Sequence, residues 1–317
     1  MKIVILDGHA VNPGDLSWDC LEQFGTVTVY PNTRAEQVLS RVQGADIVMT
    51  NKTPITRDLL DACPAIKLVC VLATGYNVVD CQAARQRGIP VCNVPDYATH
   101  AVAQFTFSLL LALCNRVEHH DQLVHRGDWI SSPNFCFWDT PQMELAGKTI
   151  GIIGFGRIGR AVGSIAKAMG MRVIAYNRSR CPEGEAIGEY VDLDTLLAQA
   201  DVVSLHCPLT TENTGFINGE LLSKMKDKSI LLNTARGGLL DEQAVANALG
   251  SGKLRGAAVD VISQEPMQQD NPLLTAPNCI ITPHMAWAPV ETRQRILDCT
   301  VASIQGYLAG TPVNTVN

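Results

Sequence analysis

Short apolar runs recur from one end of this chain to the other, and helical patterns fill the gaps between them. The first set is Lys2–Asp7, Val27–Tyr30, Asp46–Thr50, Leu68–Leu72 and Ile89–Asn93. The second is Thr149–Ile153, Arg172–Tyr176, Asp201–His206, Ser229–Asn233, Gly256–Asp260 and Ile280–Thr282. Most are continuously apolar rather than alternating, the pattern of strands covered on both faces. Strand and helix alternating at this spacing mean parallel sheets joined by right-handed crossovers. An α/β protein is expected. At 317 residues the chain exceeds one ordinary core, so two domains are expected as well.

The boundary falls where the two sets part. A helical pattern runs from about Thr99 to Arg116, with Thr99 as a candidate N-cap after Pro95. Gly127 to Gly147, rich in Pro, Asn, Ser and aromatics, reads as a loop. The last helical pattern, Val290 to Leu308, can return to the first domain. The expected division is therefore a discontinuous unit of 1–98 with 287–317, and a second unit of 99–286.

A formal charge of −6 supplies no basic stripe, so nucleic acid is not an expected partner. The longest apolar stretches, such as Leu109 to Cys114, fall far short of the ~20 residues of a membrane span. The first strand meets Asp7 too early for a secretory signal. The 11 cysteines show no Cys-x-x-Cys spacing, and most lie in apolar runs; they read as reduced, buried thiols of a cytoplasmic protein. No metal site is expected.

Thr149-Ile-Gly-Ile-Ile-Gly154-Phe155-Gly156-Arg157-Ile158-Gly159 contains Gly-x-Gly-x-x-Gly. A strand precedes it, and an amphipathic helix follows in Ile158, Val162, Ile165, Ala166 and Met169, with Gly170 suited to its C-cap. In that setting Gly154 permits a tight turn, Gly156 lets the backbone approach a pyrophosphate, and Gly159 allows close helix–strand packing. The helix N-terminus adds unpaired amides and a partial positive charge. After the next strand, an acid would suit the ribose 2′-hydroxyl of NAD. This chain has Asn177-Arg178-Ser179-Arg180. Asn177 carries no charge to repel a 2′-phosphate, and Arg178 and Ser179 can bond one. NADP(H) is favoured, with NAD(H) possible.

Ligands in an open parallel sheet bind beyond the carboxyl ends of its strands. Ser229–Asn233 runs into Thr234-Ala235-Arg236, Gly256–Asp260 leads to Glu265-Pro266, and Ile280–Thr282 ends at Pro283-His284. Arg236, Glu265 and His284 should converge near the nicotinamide. His284 as an imidazolium suits proton donation to a carbonyl, Glu265 favours its charged form, and Arg236 can hold a 2-oxo carboxylate. Asp260 can accept from the nicotinamide carboxamide. Singly, each has a bland explanation in a turn or a cap; together, behind a dinucleotide loop, they point to catalysis. His206 is expected to be structural, with Cys207 and Pro208 near the adenine. His119, His120 and His125 are expected to follow a helix, exposed.

These motifs, with Leu72-Ala-Thr74-Gly75-Tyr-Asn-Val-Val-Asp80, resemble the D-isomer-specific 2-hydroxyacid dehydrogenase family, most closely its glycerate dehydrogenase and hydroxypyruvate reductase branch. The likeness runs the length of the chain. It implies a Rossmann doubly wound parallel sheet for 99–286 and a flavodoxin-like substrate domain in the other unit. It further implies hydride transfer between NAD(P)H and a small 2-oxo acid, and a homodimer joined through the cofactor domains. Arg236 is implied as substrate anchor, the Glu265–His284 pair as proton relay, and the Thr74 and Gly75 amides as carboxylate binders. Phe135 to Trp138 would lie in a dimer-associated loop, although core aromatics fit them almost as well. A dinucleotide-sensing corepressor on the same fold is the alternative function; the intact Arg236, Glu265 and His284 set speaks against it.

Overall fold

A computed structural model describes residues 1–317. The chain divides into two compact units, Met1–Ala98 with Trp287–Asn317, and Thr99–Ala286.

The first unit is built on β1 (Lys2–Ile5), β2 (Thr26–Val29), β3 (Ile47–Thr50), β4 (Leu68–Val71) and β5 (Val91–Cys92). All are parallel, in the order β2-β1-β3-β4-β5, which is the flavodoxin-like arrangement. Successive side chains of a strand point to opposite faces, and both faces here are covered. Val4, Val48 and Val69 pack with Val38, Leu60 and Ala83 of short helices. Ile3, Ile5, Met49 and Leu68 pack with Ile296, Leu297 and Ile304 of the helix Val290–Leu308. Residues 1–98 cover that second face only in part, through Val11, Leu21 and their neighbours, and the returning helix completes it.

The returning helix is locked by Arg293, whose buried guanidinium meets both carboxylate oxygens of Asp15 at 2.6 Å and the Val11 carbonyl at 3.1 Å. The hydrogen bonds from Arg293 hold the Asp15 carboxyl below its ordinary value of 3.8. A depressed carboxyl contributes stability that is complete above the unfolded value and lost as pH falls through the folded one. Asp15→Asn should therefore unfold at lower denaturant than the parent at neutral pH, the two converging in acid. An unchanged midpoint at neutral pH would refute the coupling.

The second unit carries β6 (Thr149–Ile153), β7 (Arg172–Tyr176), β8 (Glu189–Tyr190), β9 (Val202–Leu205), β10 (Ser229–Asn233), β11 (Leu254–Val259) and β12 (Cys279–Ile281). They form one parallel sheet in the order β12-β11-β10-β9-β6-β7-β8. The order reverses at β6, the switch point of a Rossmann sheet. On one face lie Phe107, Leu110 and Leu113 of the helix Thr99–Asn115 with Val162 and Ala166; Leu196, Leu197, Val245 and Leu249 cover the other.

Several local expectations are corrected. Thr99 stands inside the first turn of its helix rather than before it. β5 shortens to two residues, β11 begins earlier, at Leu254, and the short edge strand β8 had no apolar run to announce it. His119, His120 and His125 belong to a helix, Val117–His125, rather than following one. His119 Nε2 and His120 Nε2 lie 2.7 and 3.4 Å from the Asp139 carboxylate. No helix is long and apolar enough to cross a membrane.

Candidate active site

The glycine-rich turn joins β6 to the helix Arg157–Ala168. Gly154 has φ +94°, and a Cβ there would fall 2.4 Å from the Cys207 amide nitrogen; only glycine suits both conditions. A Cβ on Gly159 would lie 2.2 Å from the Gly154 carbonyl oxygen, so this glycine lets helix and turn close together. Gly156 differs: nothing lies within 4 Å of where its Cβ would be. The amides of Gly156 and Ile158 donate to no group of the protein. Open space, unpartnered amides and the positive end of a helix fit a pyrophosphate. Gly170, at φ +76°, follows the helix end at Met169.

Phe155 is the exception in this turn. Its ring is buried edge-on against Tyr190, and its amide donates to Asn177 Oδ1 at 3.1 Å. Both groups are engaged inside the protein. Asn177, at the end of β7, also donates through Nδ2 to the Ser179 carbonyl at 2.7 Å. It thereby ties the glycine turn to the Arg178-Ser179 loop. Arg178 and Ser179 are exposed, and the Arg178 charge acts on Cys207 and Glu212, which follow β9. Arg180 turns instead to the Tyr190 ring, 5.7 Å from its centroid. The end of β9 packs directly on Gly154 through His206 and Cys207. Burial pushes the His206 pKa down to about 3, and Ser204 Oγ lies 2.8 Å from its Nε2. This imidazole is neutral. Pro208 follows, exposed, its carbonyl accepting from Asn213.

β10, β11 and β12 are neighbours, so the loops leaving their carboxyl ends emerge side by side. After β10, Thr234 is buried with its hydroxyl 3.0 Å from that of Thr106. The buried Asn233 accepts from the Ala235 amide at 3.0 Å and donates to the Arg236 carbonyl at 2.9 Å, shaping the turn that presents Arg236 to solvent. Gly237 then passes so close to the loop after β11 that a Cβ would fall 1.8 Å from the carbonyl carbon of Ile262. The Ile262 amide donates in turn to Glu265 Oε1 at 3.3 Å, and Glu265 Oε2 lies 2.7 Å from His284 Nδ1. A carboxylate can only accept, so Nδ1 carries the hydrogen and the ring orientation is set.

His284 sits at φ +54°, a conformation unusual outside glycine. It is held there from β11: its amide donates to the Asp260 carbonyl at 2.8 Å and the Thr282 carbonyl at 2.9 Å. The Asp260 carboxylate takes the Thr282 hydroxyl at 2.6 Å and the amides of Met285 and Ala286 at 2.9 and 2.8 Å. Asp260 is 1% exposed. Three of its four acceptor positions thus brace the turn that carries His284, and one remains on Oδ2.

In the first unit, β4 leads through Leu72 and Ala73 to Thr74 and Gly75, whose amides donate to no group of the protein. The sequence reading missed what braces this turn. Asp7, buried at the end of β1, accepts from the amides of Asn51, Lys52 and Thr53 at 2.7, 2.6 and 2.8 Å. Asn51 Nδ2 then donates to the Leu72 carbonyl at 2.8 Å. The one signal in the sequence is an acid closing an apolar run.

An arginine and a carboxylate-bound imidazole at adjacent strand ends of a dinucleotide-type sheet define an oxidoreductase acting at a carbonyl. Comparison with known proteins agrees. Residues 107–286 match the model of the D-isomer specific 2-hydroxyacid dehydrogenase NAD-binding domain. Over its whole length the chain is 53% identical to hydroxypyruvate reductase of Blautia hydrogenotrophica, covering 100% of both proteins. It is 43% identical to glycerate dehydrogenase of Methylorubrum extorquens, over 89% of this chain and 88% of that one. Among solved structures, an acyclic imino acid reductase in complex with NADPH and D-Arg superposes with TM-score 0.84 at 31% identity, over 100% of both chains. The chain belongs to the D-isomer specific 2-hydroxyacid dehydrogenase family. It is an NAD(P)-dependent enzyme.

Proposed function

We propose that this enzyme reduces hydroxypyruvate and glyoxylate with NADPH, and oxidises D-glycerate in the reverse direction. The observation that carries the substrate side is the Glu265–His284 contact at 2.7 Å, one strand away from Arg236. When bound, the reduced nicotinamide supplies hydride to the carbonyl carbon. Arg236 pairs with the substrate carboxylate and draws electron density onto the carbonyl oxygen. His284 delivers the proton to that oxygen from Nε2, while Glu265, bonded at Nδ1, fixes the orientation of the ring. Asp260 acts through His284 as a positioning residue. The Thr74 and Gly75 amides are assigned to a substrate carboxylate, to which they offer two donors.

The cofactor preference rests on the end of β7. Asn177 is neutral and internally bonded, and Arg178 stands exposed beside it with Ser179. A 2′-phosphate there meets a guanidinium and no acid in its own loop. Gly154, Gly156, Arg157, Ile158 and Gly159 are assigned to the pyrophosphate, Cys207 and Pro208 to the adenine side, and Thr234 and Ala235 to the nicotinamide side. Arg178→Ala is expected to raise KM for NADPH by about 10-fold or more, the worth of a charge-assisted bond, and to change KM for NADH little. Equal changes for both cofactors would contradict the phosphate assignment.

A homodimer is part of the proposal. Ile130 is 90% and Phe135 91% exposed, with Val117, Trp129 and Trp138 also in water. So much apolar surface in one segment suits a protein partner. The 11 free thiols support a cytoplasmic location. The deciding assay mixes the purified protein with NADPH or NADH and hydroxypyruvate, glyoxylate, pyruvate or 4-hydroxyphenylpyruvate. NADPH oxidation should be fastest with the first two substrates. Failure to oxidise either cofactor with any of the four removes this function.

A further inference from the structure

The groups assigned to catalysis and to the cofactor in the second unit stand at the carboxyl ends of its strands. The opposite ends, roughly 16–20 Å away along β10 and β11 given their five and six residues, hold a different set of groups. A cavity of about 330 Å³ opens there, lined by Leu113, Arg116, Thr140, Lys228, Arg255 and Asn278 among others. Its volume is that of a small-ligand site. Three of its lining residues are cations and none is an acid.

None of those cations has a carboxylate within salt-bridge distance, although the Lys228 charge acts on Asp227 through space. Arg116 Nη2 donates to Asn278 Oδ1, and Arg255 Nη2 donates to the Pro141 carbonyl at 2.5 Å. Both guanidiniums are oriented by neutral acceptors. Lys228 Nζ lies 3.0 Å from where a Cβ on Gly252 would be. Asp227, beside Lys228 in the chain, is engaged by Lys253 at 2.7 Å. The place of Arg116 past the end of the helix Thr99–Asn115 explains one cation, since a helix C-terminus favours positive charge. It does not explain three.

A further observation points to a ligand. The backbone is held in a conformation that disfavours side chains: Arg116, Lys228 and Asn278 have φ of +49°, +62° and +55°. Glycine would relieve the turns at 116 and 228. Long cationic side chains stand there instead, and strain of this kind gathers at functional sites.

We propose that this cavity binds a phosphate group, either inorganic phosphate or the phosphate of a small monoester, at a site separate from those of cofactor and substrate. One guanidinium satisfies a carboxylate, whereas a tetrahedral dianion needs several donors from different directions. Two guanidiniums and an ammonium supply them. A bound phosphate ties the end of the helix Thr99–Asn115 to the starts of β10, β11 and β12.

The test is thermal melting of the full chain with excess NADPH, exchanging chloride for inorganic phosphate, or for glycerol phosphate, at constant ionic strength. Phosphate should raise Tm by about 2 °C or more once well above its Kd. Glycerol phosphate matching or exceeding it identifies a monoester site; inorganic phosphate alone acting identifies a free-ion site. The shift should survive in Arg178→Ala and Arg236→Gln and vanish in Lys228→Gln and Arg255→Gln. In chloride, Lys228→Gln should melt no lower than the parent, because it removes one of three like charges. A parent protein indifferent to both phosphates, as when a second copy of the chain fills the cavity, overturns the proposal. So does an undiminished shift in Lys228→Gln.

Discussion

His284→Gln is expected to lose about 100- to 10,000-fold in kcat for carbonyl reduction, the usual worth of a general acid, while its affinity for NADPH stays within about twofold of the parent's. Glutamine can still accept or donate where Nδ1 meets Glu265, but it has no proton to release near neutral pH. The turn should survive, because Asp260 holds it through backbone amides and the Thr282 hydroxyl rather than through the imidazole. Parallel measurement of kcat and of NADPH binding by fluorescence checks both halves. A variant that loses cofactor affinity and turnover equally would show that His284 is structural.

Arg236→Gln should lower kcat/KM for hydroxypyruvate by about 100- to 1,000-fold, the loss seen when one charge-stabilising donor is removed from an active site. Lysine at the same position should recover part of it, since the charge returns without the two-pronged geometry. Asn233 shapes this turn through main-chain groups, so neither substitution should disturb the sheet. Circular dichroism and melting temperature close to the parent's are therefore expected of both variants. Undiminished kcat/KM in Arg236→Gln would move the carboxylate anchor elsewhere.

Much of this architecture was legible because buried parallel strands advertise themselves. Thr149–Ile153, Arg172–Tyr176 and Ser229–Asn233 have the bounds their apolar runs suggest. Arg236, Glu265 and His284 were found by asking what stands just past such runs, a question topology answers without side-chain detail. β8, at two residues, is too short to make a pattern. The bracing role of Asp260 is hidden for a different reason. In sequence, an acid after a strand gives no sign that the amides of Met285 and Ala286, more than twenty positions away, bond it. The same holds for Phe155, since only the fold reveals that Tyr190 meets its ring and Asn177 its amide. Arg116, Thr140, Lys228 and Arg255 could not have been grouped at all, being scattered through four segments that meet only when the sheet is assembled.

The near-contact of Gly237 with Ile262 bears on attempts to redesign what this enzyme accepts. With no space for a single added carbon, the two segments behind Arg236 and Glu265 cannot be shifted independently by mutation. A library aimed at larger 2-oxo acids is better spent on residues that border the site than on these loops, where a change in one will be felt at once by the other.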